Sequence, residues 1–144
     1  MAETAFRLRQ AGPRDIAEMH RVRMAVRENR LVRTITAQDY LEHMTVAGRG
    51  WVAEIDGVLR GFAVANRTNG NIWALFIEPG YESLGMGRAL QAMMLEWMRA
   101  AGCRAAWLET GTGTRAERFY RESGWQHVAT DGGDARFERT LEAD

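Results

Sequence analysis

Two dipeptides in the middle of the chain constrain its fold more than any other feature. Asp56-Gly57 and Asn69-Gly70 separate apolar runs in the segment GWVAEIDGVLRGFAVANRTNGNIWALFIEP, residues 50–79. Asx-Gly pairs between such runs are strong signals for a β-hairpin, because both residue types tolerate the positive φ values of tight turns. The segment therefore predicts a meander of three antiparallel strands.

The flanking segments supply the other elements. A strand is predicted over 5–10, then a helix that begins near Pro13 and a second helix with Thr36 as its N-cap. After the meander we expect a helix over about 87–101, a strand in 104–110, a short helix in 114–123 and two strands in 124–129 and 135–141. The predicted order is β-α-α-β-β-β-α-β-α-β-β. It indicates one α/β domain over residues 1–144, with a mixed, mostly antiparallel central sheet, a parallel crossover around the long helix and about four helices.

The long helix is expected to be amphipathic. Its predicted apolar face carries Leu90, Met93, Met94, Trp97 and Ala101. Gln91 is expected on the opposite, polar face together with the charged residues of this helix.

Composition excludes several classes of function. Basic and acidic residues balance at nineteen each, so the chain has no overall charge that would attract nucleic acid or a membrane surface. Cys103 is the only cysteine and the three histidines are scattered, so neither a disulfide nor a metal site is expected. No charged leader precedes an apolar core at the N-terminus, and no apolar run approaches about 18 residues, so a cytoplasmic location is expected.

Two glycines, Gly85 and Gly87, stand where the long helix begins. The start of a helix exposes unpaired backbone N–H groups with partial positive charge, and glycine lets another group approach them closely. A diphosphate would satisfy several of these donors, although a plain tight turn would also explain the glycines. A P-loop is excluded because all nineteen basic residues are arginine, and a dinucleotide fingerprint would require a third glycine where Leu90 stands.

Two separated motifs make the chain similar to the GCN5-related N-acetyltransferase family. The segment LFIEPGYESLGMGRAL (75–90) resembles that family's fourth strand, proline and [Q/R]-x-x-G-x-[G/A] helix start, and AERFYRESGW (116–125) resembles its C-terminal A-x-x-F-Y-x-x-x-G-[F/W] pattern. The resemblance covers nearly the whole chain in element order. It departs from the family at Glu82, where Gln or Arg is usual, and at Gly113, where an Asn often contacts the cofactor. A carboxylate at position 82 is expected to point away from the diphosphate or to pair with a cation such as Arg88.

The resemblance implies acetyl-CoA as cofactor, bound in a cleft between the fourth and fifth strands. The pantetheine arm would pair with the main chain of Phe76 and Ile77 like an added strand. The resemblance assigns the diphosphate to the backbone at the helix start, at Leu84, Gly85, Met86, Gly87 and Arg88. Arg88 could add a charge-assisted contact or simply lie in solvent.

Acetyl transfer from a thioester to an amine requires a group that accepts a proton and one that donates it. The resemblance assigns the acid to Tyr120, whose alternative is a core position beside Phe119. The candidate bases are Glu78 and Glu109, which end the fourth and fifth strands. Glu109 follows an apolar strand and could act as a base through water, anchor the acceptor's ammonium group or be capped by nearby threonines.

The resemblance places the acceptor between the segment after the first helix and the sheet. Here that segment is VRENRLVRTIT (26–36), whose Arg27, Arg30 and Arg33 could bind a carboxylate or phosphate, or could simply be solvated. Trp51 and Trp73 could line this site or belong to the core. The sequence predicts an N-acetyltransferase that acts by direct transfer on a primary amine of a small molecule or peptide, with a homodimer expected by analogy. The alternative is a non-catalytic acyl-CoA-binding or sensor domain.

Overall fold

The computed structural model describes residues 5–27 and 34–141 of the 144-residue chain. Within these ranges the elements follow the predicted order. The strands are β1 (Arg7–Gln10), β2 (Gly48–Ile55), β3 (Val58–Asn66), β4 (Ile72–Ile77), β5 (Ala105–Gly111), β6 (Gln126–Asp131) and β7 (Asp134–Thr140). The helices are α1 (Ile16–Ala25), α2 (Ala37–Leu41), α3 (Met86–Ala100) and α4 (Arg115–Glu122). A 3-10 turn (Pro13–Asp15) precedes α1, and a π-helical segment (Glu42–Val46) continues α2.

The strands form two antiparallel sheets. One has the order β1-β2-β3-β4, and the other has the order β5-β7-β6. In the described part of the chain, the bridge between them is an isolated parallel pairing of Asn71 with Trp107. The expected parallel crossover around α3 is therefore present at this one point, and beyond it β4 and β5 separate.

The predicted meander is confirmed, and its turns explain the register. Asp56 and Gly57 both have positive φ values, 51° and 79°, as a two-residue turn between β2 and β3 requires. The β3–β4 pairing shifts by one residue between Val64 and Ala65, so Trp73 lies in an irregularity of β4. Such bulges bend a strand. Here the bend lies near the point where β4 leaves β5.

Helices cover both faces of the first sheet. Met19 and Val22 of α1 and Tyr40 of α2 pack with Phe62 and Val64 on one face. On the other face a larger core joins α3 to inward residues of both sheets and to α4. Its members include Ala53, Ala63, Leu90, Met94, Leu108, Tyr120 and Phe137. By the described residues the second sheet is covered on this face alone, and the side of β5 that carries Trp107 and Glu109 is partly open.

The predicted apolar face of α3 was wrong in part. Met93 is 38% exposed, whereas Gln91 is only 8% exposed and accepts a hydrogen bond of 3.0 Å from Nε1 of Trp125. Met86 and Met98 are buried as well. The buried stripe is displaced because α3 packs against both sheets, and the buried indole N–H needs an acceptor.

Candidate active-site cleft

A cleft of about 860 Å³ opens where β4 and β5 separate. Its walls are β4, the loop from β4 to α3, the end of β5 and the first turns of α4. Of the predicted site residues it brings together Phe76, Ile77, Gly85, Met86, Gly87, Arg88, Glu109 and Tyr120. Leu84, Gly113 and Glu78 are not among the residues that line it. The size is in the range of pockets that enclose small-molecule ligands.

The start of α3 faces this cleft with free donors. Gly85 precedes the helix with φ of 94°, and among the described residues no side chain caps the helix. The N–H groups of Met86, Gly87 and Arg88 precede the first intrahelical bond, which Ala89 donates to the carbonyl of Gly85 over 3.0 Å. The first turn also contains no acidic residue. An anion in the cleft would find these donors unoccupied.

Two other helices of the chain are capped internally. The Thr36 hydroxyl accepts a hydrogen bond from the backbone N–H of Asp39 at the start of α2, and the Thr114 hydroxyl accepts one from Glu117 at the start of α4. Gly113 donates its N–H to the Glu117 carboxylate over 2.9 Å. This hydrogen bond, together with one from Arg121, lowers the pKa of the Glu117 carboxyl below its usual range. Gly113 therefore belongs to the cap of α4, while α3 is left for a ligand.

Gly87 allows close approach to these donors. A methyl group at this position would lie 3.5 Å from the ring of Phe119 and 3.9 Å from Ile77, which are ordinary contacts. Phe119 and Ile77 both line the cleft. The protein itself would thus tolerate a side chain at Gly87, so the absence of one leaves room for a ligand.

Glu82 binds the backbone of its own loop. One of its carboxylate oxygens accepts a hydrogen bond of 2.8 Å from the backbone N–H of Gly80, two residues earlier in the same loop. Among the described residues no hydrogen bond or ion pair joins Glu82 to Arg88, so the expected pairing is not seen, and Glu82 itself lines the cleft. Arg88 lines the cleft with an exposed side chain.

Tyr120 is buried, with 5% of its surface exposed, yet it also lines the cleft. Its ring packs edge-on against the rings of Trp125 and Phe119, with 5.6 Å and 5.2 Å between ring centres. The core position and the cleft position were considered as alternatives, and Tyr120 contributes to both. Within the described ranges its hydroxyl has no hydrogen-bond partner. Burial raises the pKa of this phenol, so its neutral, protonated form is the one present in the folded protein.

Glu109 is exposed, although it follows the buried residues Ala106 and Leu108 of β5. It lies on the outer face of β5, opposite Arg136 in the β5–β7 register. Arg136 instead donates to Glu138 over 3.1 Å and stacks on Trp107. Threonine capping is not observed in the described residues, because the Thr112 and Thr114 hydroxyls donate to the carbonyls of Gly133 and Gly111. Glu109 is one of the residues that line the cleft, and no described residue binds its carboxylate.

Glu78 occupies a different environment. Its carboxylate accepts hydrogen bonds from Arg21 of α1 over 2.5 Å and from Arg60 of β3 over 2.7 Å, and only 15% of its side chain is exposed. Arg60 also lies over the ring of Tyr81 at 4.3 Å. These contacts fix the end of β4 to its neighbours just before the loop that leads to α3, and they favour a structural role over that of a base.

We expect Glu78→Gln to lower the free energy of unfolding by about 1–3 kcal/mol, because both charge-assisted hydrogen bonds are weakened. The turnover of folded enzyme at saturating substrates should stay within about twofold of the parent. Urea unfolding and steady-state kinetics measure the two quantities. A large loss of turnover without a loss of stability would restore Glu78 as the base.

Val26, Arg27 and Trp73, from the two regions in which the acceptor is expected, also line the cleft. Arg30 and Arg33 lie outside the described residues. Trp51 is a core residue, 4% exposed, and packs edge-on against Trp97 at 5.5 Å. Of the two tryptophans considered, only Trp73 lies at the cleft.

Comparison with known proteins assigns this fold and cleft to a family. The model of the acetyltransferase (GNAT) family matches residues 15–125, more than three quarters of the chain. The chain belongs to the GNAT family. Acetyl-CoA is the acetyl donor of GNAT enzymes, and the matched region contains the uncapped start of α3 together with Tyr120.

Three GNAT relatives illustrate the similarity. A mycothiol acetyltransferase of Cellulomonas flavigena is 40% identical over 63 residues, which are 43% of this chain and only 18% of that protein. The structure of the PaiA N-acetyltransferase of Thermoplasma acidophilum in complex with coenzyme A has a TM-score of 0.80 at 15% identity, covering 94% of this chain and 99% of the other. The structure of YncA from Salmonella typhimurium with its cofactor acetyl-CoA has a TM-score of 0.76 at 17% identity, covering 96% and 95%. These structural likenesses show the GNAT fold.

Two arginines of the GNAT cleft were missed from the sequence. Arg115 and Arg118 of α4 line the cleft together with Arg88. The signal that could have found them is topological, because α3 and α4 follow neighbouring strands that are parallel where they meet, so both helices begin at the same end of the cleft. Basic side chains in the first turn of α4 therefore lie at the same end of the cleft as the start of α3.

Two absences apply to the described parts of the chain. Residues 5–27 and 34–141 contain no group of three or more His, Cys, Asp or Glu side chains arranged to hold a metal ion. In the same ranges, no helix has both the length and the apolar character needed to span a bilayer.

Proposed function

We propose that this chain is an acetyl-CoA-dependent N-acetyltransferase that acetylates a primary amine by direct transfer in a ternary complex. The proposal rests on one observation: the uncapped start of α3 and the unpartnered hydroxyl of Tyr120 line the same cleft. The first suits the diphosphate of acetyl-CoA, and the second suits the sulfur that leaves during transfer. Family membership supports the same cosubstrate.

The chain's residues would divide the chemistry as follows. The edge of β4 at Phe76 and Ile77 is unpaired on the side of β5 and would receive the pantetheine arm. Glu109 would accept the proton that the acceptor ammonium must lose before its nitrogen attacks the thioester carbon. As the C–S bond breaks, Tyr120 would donate its proton to the departing sulfur, and the second proton lost by the nitrogen as it becomes an amide would reprotonate Tyr120, while Glu109 passes its proton to solvent.

Direct transfer is supported by the position of Cys103. This thiol is not among the residues that line the cleft, and it donates a hydrogen bond to the carbonyl of Arg67 over 3.5 Å. Burial raises its pKa, which disfavours the thiolate that a nucleophile requires. An acetyl-enzyme intermediate on Cys103 is therefore disfavoured.

Two experiments test the function. Calorimetric titration with acetyl-CoA and with CoA should show one site per chain, and no binding at millimolar ligand would overturn the proposal. A panel of amines, including small molecules and peptides, is then offered with acetyl-CoA, and the release of free thiol is followed. Tight binding without thiol release for any amine would instead support an acyl-CoA sensor.

We expect Glu109→Gln to lower kcat/KM for the acceptor about tenfold at pH 7, because an amide cannot take up the ammonium proton. The loss should shrink at pH 9, since a larger fraction of the amine is then already neutral. Glu96→Gln is the matched control, because Glu96 is an exposed glutamate of α3 paired with Arg99 and is not among the cleft residues. A loss independent of pH would contradict the role as base.

The acceptor class and the assembly state belong to this proposal as well. A small-molecule amine is suggested by the segment similar to mycothiol acetyltransferase, although the chain spans only 18% of that protein, and a peptide amine is retained as the alternative. A cytoplasmic location, a homodimer and the lack of nucleic-acid or membrane partners stay predictions from the sequence.

A further inference from the structure

The width of the cleft depends on how the two sheets are joined. In the described chain they meet at Trp107. Trp107 of β5 forms the isolated parallel bridge with Asn71, and its backbone N–H donates to the carbonyl of Gly70 over 2.9 Å. Its indole Nε1–H donates to the carbonyl of Asn69, also over 2.9 Å. Residues 69–71 and Trp107 are called the clasp below.

Both sides of the clasp are held rigidly. On the turn side, the side chain of Asn66, 6% exposed, accepts hydrogen bonds from the N–H and hydroxyl of Thr68 over 2.8 and 2.6 Å. The Asn69 side chain accepts the N–H of Asn71 over 2.9 Å. On the strand side, the guanidinium of Arg136 lies 4.2 Å from the centre of the Trp107 ring. The indole is therefore fixed in the orientation that reaches the turn.

Trp107 is not a core residue. The core-facing residues of β5 are Ala106 and Leu108, which are 0% and 2% exposed, whereas Trp107 lies with Glu109 on the outer face and is half-buried. Its large ring therefore contributes little to the main core. A smaller or less polar residue would suffice there if the position only had to cover the strand.

The geometry of the two walls explains what the clasp controls. The donors proposed to hold acetyl-CoA belong to β4 and α3 on one side, whereas Glu109 and Tyr120 belong to β5 and α4 on the other. In the described chain the clasp is the strand bridge between these walls, and a single residue, Leu108, separates Trp107 from Glu109 along β5. A change at the clasp would therefore shift the acid and base relative to the thioester.

We propose that Trp107 is a positioning residue, whose indole N–H sets the spacing between the wall that binds acetyl-CoA and the wall that carries Glu109 and Tyr120. This inference rests on the proposed function. Trp107→Phe keeps the aromatic ring for Arg136 and the backbone bonds, and it removes only the indole hydrogen bond. Because small displacements of reacting groups are costly, kcat should fall about five- to tenfold.

The test separates positioning from general stability. The Kd for CoA, measured by calorimetry, should change less than about threefold in Trp107→Phe, and the stoichiometry should remain one per chain, because β4 and α3 are intact. The matched control is Trp97→Phe, which replaces a tryptophan of α3 that packs against Trp51 and does not line the cleft. A kcat within twofold of the parent, an equal loss in the control, or a loss accounted for by fewer CoA sites would overturn the proposal.

A second readout does not depend on catalysis. In Trp107→Phe, hydrogen exchange should accelerate at the backbone amide of residue 107, which donates to the carbonyl of Gly70 in the parent. The amides of β2 and β3 should keep the protection that they have in the parent. If the parent transfers no acetyl group and this local change is seen, the clasp stands and the proposed function fails. Unchanged exchange at the amide of Trp107 would overturn the clasp whatever the activity.

Discussion

Replacing Tyr120 by phenylalanine should lower kcat about 100-fold and leave the stability of the protein nearly unchanged. The ring keeps its contacts with Trp125 and Phe119, and in the described chain no group depends on the hydroxyl for a hydrogen bond. The loss is of the size that a positioned proton donor contributes to a transfer reaction. Acetyl transfer to the best amine of the panel and thermal unfolding measure the two effects.

Tyr40→Phe is the control for this experiment, because the opposite pattern of effects on stability and kcat is expected. Tyr40 is also buried, 1% exposed, but its hydroxyl bonds Nδ1 of His20 over 3.0 Å in the core on the other side of the sheet. Its loss should cost about 1 kcal/mol of stability and leave kcat within about twofold. If Tyr120→Phe transfers acetyl as fast as the parent across the pH range, the acid is another group.

The burial of Tyr120 can be checked by pH. Because burial raises its pKa in the folded state, the unfolded chain ionises first as the pH rises through about 10. The stabilising contribution of the buried phenol is present below that pH and is lost above it. The parent should therefore lose stability more steeply above pH 10 than Tyr120→Phe does.

The second large effect is expected at Gly87. We expect Gly87→Ala to raise the Kd for CoA about 100-fold, equivalent to about 2.7 kcal/mol, because a methyl group would displace the diphosphate from two or more N–H donors. The folded protein has room for this methyl group, and alanine favours a helix by up to about 1 kcal/mol over glycine. Stability should therefore stay constant or rise while binding is lost.

Gly12→Ala provides the same chemical change away from the cleft. Gly12 has no heavy atom within 4 Å of an added methyl group and an extended φ of −126°. Gly12→Ala should change neither the free energy of CoA binding nor the free energy of unfolding by more than a few tenths of a kcal/mol. Binding of CoA to Gly87→Ala with the affinity of the parent would show that the diphosphate is not held at the start of α3.

The order of elements could be predicted because its signals are local. The Asp56-Gly57 turn and the glycines at the start of α3 act within a few residues of chain, and the structure confirms the turn and the helix start. The start of α3 and Tyr120 were found through two short motifs that match a family. The structure adds the physical grounds, namely the uncapped N–H groups and the unpartnered hydroxyl.

Features that depend on distant residues could not be predicted. Glu78 and Glu109 both follow apolar strand residues in the sequence, yet among the described residues it is Glu78 that binds Arg21, 57 residues earlier in the chain, and Arg60, 18 residues earlier. The burial of Gln91 depends in the same way on Trp125, which lies 34 residues later. A side chain's local periodicity does not reveal such partners.

Because the start of α3 is uncapped, affinity for acetyl-CoA is gained at the expense of the stability of the unliganded protein. A serine or threonine cap contributes about 1 kcal/mol to a helix, and α2 and α4 each have one. Evolution toward a more stable empty protein would favour such a cap beside Gly85, and the new hydroxyl would then compete with the cosubstrate for the same N–H groups. Stabilised variants of this chain that gain a cap at α3 should therefore bind acetyl-CoA more weakly.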